Sequence, residues 1–113
     1  MRRDAVWLAD IVESAEAVGS YLGDVDQAGF LTSPLLRDAV LLRLTQVGEA
    51  CARISDELKA AHPAVPWQKV MAFRNLAVHA YFSVDWQVVW HLATVRLPEL
   101  EGQVSGILDS LDA

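Results

Sequence analysis

The chain has 113 residues, with nine Lys and Arg against fifteen Asp and Glu, for a formal net charge of −6 with neutral histidine. Hydrophobic residues make up 53% and charged residues 21%, which is material for one packed domain and excludes both a disordered tail and a polycationic nucleic-acid binder. The single cysteine, Cys51, excludes an internal disulfide framework and a cysteine-rich zinc module, and a free thiol suits a reducing cytoplasm. From Asp4 to about Val25, Trp7, Ile11, Ala15, Val18, Leu22 and Val25 recur in steps of three and four, which predicts one amphipathic helix. The turn residues Gly23, Asp24, Asp26 and Gly29 end it. Thr32-Ser33-Pro34 then offers a hydroxyl cap and a proline in the first turn. A second helix is predicted through Leu36, Val40, Leu44, Val47, Cys51, Ile54 and Leu58, stopping near His62 because Pro63 and Pro66 cannot continue it. A third runs from Trp67 to about Ala80. Ser83 is the expected cap of a fourth, which carries Val84, Val88, Leu92 and Val95. Pro98 predicts a kink or short break, after which Leu100, Val104, Ile107 and Leu111 resume the pattern.

The expected fold is therefore all-α: a single-domain bundle of four to five helices spanning residues 1–113. Acidic residues interrupt any apolar signal core at the N-terminus, and the apolar runs fall short of the ~20 residues of a bilayer span, so a cytoplasmic protein away from membranes is expected. Trp7, Trp67, Trp86 and Trp90, with two long helices in so short a chain, suggest leftover apolar surface and hence a dimer; the alternative is that all four indoles serve one protomer's core. Charge is distributed unevenly. Residues 1–59 sum to −4, residues 60–97 to +2 (Lys69, Arg74 and Arg96 against Asp85) and residues 98–113 to −4. A polyanion is tolerated best in the middle segment.

That segment holds Arg74-Asn75-Leu76-Ala77-Val78-His79-Ala80-Tyr81. Arginine presents planar, permanently charged donors to phosphate oxygens, and histidine exchanges protons near neutral pH. Together they suffice to cleave RNA without a metal or cofactor: a base takes the ribose 2′-OH proton, O2′ attacks the adjacent phosphorus, and the cation stabilises the developing charge. On an ideal helix Arg74 and His79 lie about 140° apart with a rise of roughly 7.5 Å, so they share no face unless the helix ends near His79 or the long Arg side chain bends back; two copies facing each other would also bring them together. An isolated Arg and His at this spacing is also common in helical proteins that catalyse nothing.

The sequence around the pair resembles the HepT-like toxins of the HEPN superfamily, whose pattern of Arg, four residues, His, one residue and Tyr reads here Arg74, His79 and Tyr81. Asn75 supplies the polar residue that typically follows the Arg. Val47-Gly48-Glu49-Ala50, Pro66-Trp67, Val84-Asp85, Val89-Trp90 and Leu97-Pro98-Glu99-Leu100 match in the same order, so the likeness covers nearly the whole chain. The resemblance implies a HEPN-like homodimer that cleaves RNA without a metal, with Arg74 and His79 catalytic and Asn75 supporting them. It also implies an MNT-type nucleotidyltransferase antitoxin as partner, able to transfer AMP from ATP to Tyr81 and to assemble with the toxin into a higher hetero-oligomer. Tyr81 as a packing or RNA-stacking residue is the alternative. Glu49 either orients Arg74 or His79 or is a solvated residue; Asp85 supports the start of the fourth helix; Cys51 is a buried, inert thiol. His62 is read as a helix-end residue and His91 as helix surface or interface. A competing reading of the whole chain is a non-catalytic helical dimer that binds nucleotide, RNA or a nucleotidyltransferase.

Overall fold

Gly23, in the left-handed region at φ 47°, ends the first helix where the sequence places a turn. In the computed structural model, which describes residues 2–76 and 83–112, this helix (α1) spans Arg2–Leu22. Its buried stripe is Leu8, Ile11, Ala15, Val18 and Leu22. The expected loop that follows holds a short helix, α2 (Gln27–Leu31), capped by the Asp26 carboxylate, which accepts from Gly29 N at 2.8 Å. It inserts a fully buried Phe30 into the core, with ring centroids 6.4 Å from Trp86 and 5.4 Å from Trp90.

Ser33 and Pro34 start α3 (Pro34–Arg53) as expected, with Ser33 Oγ accepting from Leu36 N. The helix does not run on to His62. Ile54 is extended at φ −71° and ψ 142°, and Ser55 caps a separate helix, α4 (Asp56–Ala61). The cause lies far away in sequence: the buried Asp4 carboxylate accepts from Ser55 N at 2.8 Å and from Ser55 Oγ at 2.7 Å. Pairing the carboxylate at both oxygens compensates its burial and pins the break. Asp56 and Glu57 then sit in the first turn of α4, where negative charge is favoured.

α5 (Trp67–Met71) tightens into a 3₁₀ turn, Ala72–Asn75. Trp67 is buried, and its indole N–H donates to the carbonyls of Lys59 (3.1 Å) and His62 (2.9 Å), closing the end of α4. The cap of α6 (Trp86–His91) is Asp85, not Ser83: its carboxylate accepts from Gln87 N and Val88 N. Of the expected stripe, Val84 and Leu92 pack partly buried against the core. Val89, Ala93 and Leu97 are buried, whereas Val88 and Val95 are exposed.

Between α6 and α7 (Leu97–Asp112), residues Leu92–Arg96 form a π-helical stretch in which Leu97 N donates to Leu92 O. The widened turn directly precedes Pro98, which has no N–H to continue the ordinary ladder, so the expected break takes this form. Beyond it Leu100, Val104 and Ile107 are buried and Leu111 is exposed.

α1 packs chiefly on α3 and then on α7, and α3 also carries α5 and the 3₁₀ turn, so the inward faces meet in one continuous core. Trp67 belongs to that core, and Trp7, Trp86 and Trp90 pack against it partly buried. The four indoles are thus accounted for within one protomer. The described residues form helices joined by turns, bends and short irregular connections, with no strand among them, and no helix among them is long and apolar enough to cross a membrane.

Candidate functional site

Arg74 sits in the 3₁₀ turn at the end of α5, and α3 holds its backbone there. Gly48 is the point of contact: a Cβ built on it would overlap Arg74 N and lie 3.0 Å from both the carbonyl carbon and Cβ of Phe73. Only a residue without a side chain lets the turn approach this closely. Phe73 is buried, which fixes the turn from the other side, while Arg74 and Asn75 are exposed.

The Arg74 side chain lines an open cleft of about 670 Å³, together with Lys59, Asp56, Trp67, Lys69 and Met71. Both lysines of the chain therefore share the cleft with Arg74. Lys59 was assigned by position to the acidic first half of the sequence; the turn between α4 and α5 brings it to the positive segment. Its Nζ donates to Met71 Sδ at 3.4 Å. Among the described residues, Lys59, Lys69 and Arg74 make no ion pair, whereas Arg53 pairs with Glu49 and Arg96 with Glu99. Arg37, Arg43 and Arg53 instead lie over the rings of Trp86, Tyr21 and Trp7.

Glu49 is exposed, and the ion pair it makes is with Arg53 at 3.5 Å, one turn along the same helix. Among the described residues its pairing is thus on α3, and a pairing with His79 lies outside them. His79 and Tyr81 lie outside the described residues, so Arg74 and Asn75 are the members of the motif whose placement is given. His62 ends α4 and His91 is exposed in α6. Among the described residues no three His, Cys, Asp or Glu side chains gather to hold a metal ion.

Cys51 is fully buried behind Trp67, whose carbonyl its thiol faces at 3.7 Å. Burial pushes the thiol pKa up to about 11 against the opposing pull of Lys59, so it is a neutral core group and no nucleophile. The sequence singles out Arg74 and Asn75, names Gly48 only within a matching segment without giving it a role, and misses Lys59. A glycine in the middle of an apolar helical pattern was the available signal for the role of Gly48.

The described residues thus form an all-α bundle that presents Arg74 from a turn clamped by Gly48, beside a cleft lined by both lysines. The chain belongs to the ribonuclease HepT-like family, whose model matches residues 11–107. It is 32% identical over 104 residues to a Methanocaldococcus jannaschii protein named "Putative RNase MJ1380", covering 91% of this chain and 95% of that one. It is 32% identical over 97 residues to the "Probable ribonuclease HepT" of Thermococcus cleftensis, covering 86% and 88%. A second M. jannaschii protein, named "Gamma-glutamylcyclotransferase and putative RNase MJ0434", is 31% identical over 113 residues; the match covers 99% of this chain and 51% of that protein. No solved structure gives a significant match.

Proposed function

We propose that the chain is the toxin of a toxin–antitoxin pair: an RNA endonuclease that works without a metal or cofactor, as a single HEPN domain acting in homodimeric form in the cytoplasm. The reading is supported by the family, by the names its relatives carry, and above all by Arg74, an exposed arginine on a buried-side anchor, free of any ion pair among the described residues and facing a cleft that holds both lysines.

In this mechanism His79 removes the proton from a ribose 2′-OH. O2′ attacks the neighbouring phosphorus, the bond from phosphorus to O5′ breaks, and the departing oxygen takes a proton from an acid, His79 of the second copy. The products are a 2′,3′-cyclic phosphate and a 5′-OH. Arg74 stabilises the charge that builds on the non-bridging oxygens, and Asn75 supports it with its amide. Exposed Leu35 and Leu42 on α3, with Val88 and Val95 near α6, supply apolar surface for the second copy.

The partner in this reading is an MNT-type nucleotidyltransferase antitoxin, which assembles with the dimer. It transfers AMP to Tyr81: the phenol oxygen attacks the α-phosphorus of ATP and pyrophosphate leaves. The added negative charge and bulk, two residues from His79, repel and obstruct an RNA phosphate.

The test compares wild type, Arg74→Ala and His79→Ala on RNA with EDTA present. Cleavage by wild type and none by either variant is expected; retained cleavage by both variants overturns the mechanism, and intact RNA with clean unmodified wild type favours a binding dimer that does not cut. An AMP-sized mass increase on Tyr81 after co-expression with a nucleotidyltransferase tests the second half.

A further inference from the structure

We infer that Lys59 and Lys69 form a binding site for the RNA backbone beside Arg74, holding phosphates next to the one that is cut. The inference rests on the ribonuclease reading above and adds to it the path of the substrate strand. In a chain of net charge −6, three cations without ion pairs among the described residues converge on one open cleft, with Asp56 the single carboxylate on its wall. Of the other arginines with described side chains, Arg37, Arg43 and Arg53 lie over aromatic rings and Arg96 beside a carboxylate, while Arg3 is exposed at the start of α1 and lines no part of this cleft. A polyanion passing over this molecule therefore meets three gathered cations here, set against a single carboxylate.

The cleft also has the right lining. Pro66 and Met71 among its lining offer apolar surface suited to sugar and base faces, while the lysine ammonium groups act as mobile point charges for phosphate oxygens. Lys59 is steadied by its contact with Met71 Sδ at 3.4 Å, and Lys69 stands exposed on α5. A neighbouring cleft of about 330 Å³ shares Pro66 and Lys69 and continues toward Arg96 on the π stretch. Arg96 is there paired with Glu99, which lines the same cleft, so the uncompensated charge is concentrated on the side of Lys59, Lys69 and Arg74. An acidic protein surface would meet the same charge; RNA is the occupant chosen because, in the ribonuclease reading, Arg74 in the same cleft contacts the phosphate that is cut.

The experiment uses the whole chain and a single-stranded 2′-O-methyl oligoribonucleotide, which has no free 2′-hydroxyl and so is bound without being cut. Binding of wild type is compared across a salt series with the double variant Lys59→Gln/Lys69→Gln. The control is Arg43→Gln/Arg53→Gln, which removes two charges elsewhere on the surface. The lysine variant is expected to bind at least tenfold more weakly and to lose about 1 to 1.5 from the slope of log affinity against log salt, at ~0.7 per phosphate contact. On cleavable RNA it should raise KM with kcat little changed, because neither lysine meets the reacting atoms. Equal weakening by the control overturns the site, since it would show only a net-charge effect. Unchanged RNA binding by the lysine variant, with wild type still cutting, also overturns it, leaves the ribonuclease reading intact, and gives the cleft to an acidic protein. Wild type that neither binds nor cuts RNA overturns both.

Discussion

Gly48 and Arg74 meet backbone to backbone: the space a side chain at position 48 would fill is occupied by the Arg74 nitrogen. An alanine in a helix interior ordinarily stabilises relative to glycine by about 1 kcal/mol. Here the sign reverses, because the obstructing atoms are backbone and the buried Phe73 keeps the turn from retreating. Gly48→Ala is expected to destabilise the protein by about 1–3 kcal/mol in urea denaturation and to reduce cleavage through displacement of Arg74. Gly102→Ala and Gly106→Ala, in α7 with nothing within 4 Å of the added carbon, should each stabilise by about 0.5–1 kcal/mol. If Gly48→Ala proved as stable as those two, the close approach would not be a constraint.

Arg74→Lys separates charge from shape. Both side chains are cationic at neutral pH, but lysine lacks the planar fork that binds two phosphate oxygens at once. Because Arg74 is exposed and forms no ion pair among the described residues, the melting temperature should not move. The cleavage rate constant should fall on the order of 100-fold, as for the loss of one oriented transition-state donor. Full activity in the lysine variant would show that Arg74 acts only as a diffuse charge.

The pairing of Asp4 with Ser55 joins the start of α1 to the break between α3 and α4. Ser55→Ala removes the cap of α4 and leaves a buried carboxylate one donor short; Asp4→Ala leaves Ser55 without its partner. Each should cost about 1–3 kcal/mol by denaturant unfolding. The double variant should cost less than the sum by at least about 0.5 kcal/mol. Strict additivity would mean the two groups do not act on each other.

That pairing also explains what the sequence could and could not reveal. The start of α3 was legible because Ser33 and Pro34 act on their immediate neighbours, and Gly23 ends α1 for a reason local to itself. The break at Ile54 was hidden, since Ile54 and Leu58 keep the helical spacing and the decisive hydrogen bonds come from Asp4. Ser55-Asp56-Glu57 carried the cap and first-turn charges of a new helix, but the apolar period outweighed them. Phe30 was passed over because five residues are too few to show a period, although the ring is fully buried. In α6, Ser83 and Asp85 could both cap; of the expected stripe Val84 and Leu92 do pack against the core, whereas Val88 and Val95 face outward and Val89 and Ala93 take the buried places. At the site, Arg74 and Asn75 were identifiable by type and spacing. Lys59 was not, because its place beside Arg74 depends on how the chain turns between α4 and α5.

Leu35 is 79% exposed and Leu42 57%, seven residues apart and so nearly on one face of α3. If a second copy covers that face, Leu35→Glu/Leu42→Glu should convert a dimer to a monomer in light scattering. Cleavage should be lost with the shared groove. The fold itself should remain, because neither side chain contributes to the core, and the circular dichroism spectrum checks this. A variant that stays dimeric would place the interface elsewhere.

Cys51 provides the last check, on the core beneath the cleft. Its thiol is fully buried with a pKa pushed up to about 11, so at pH 8 it is protonated and shielded. Iodoacetamide should leave the native protein unmodified while labelling it quickly in denaturant, because the thiolate is the reacting form. The sign of the pH effect follows from the same shift. In the unfolded chain the thiol releases its proton near its ordinary value, below the native one, so between the two the unfolded state binds fewer protons. Stability is therefore expected to fall as pH rises through that interval toward 11, and Cys51→Ser or Cys51→Ala should remove this contribution to the slope. Rapid labelling of native protein at pH 8 would mean that the contact between α3 and Trp67 opens readily, and with it the wall on which Arg74 depends.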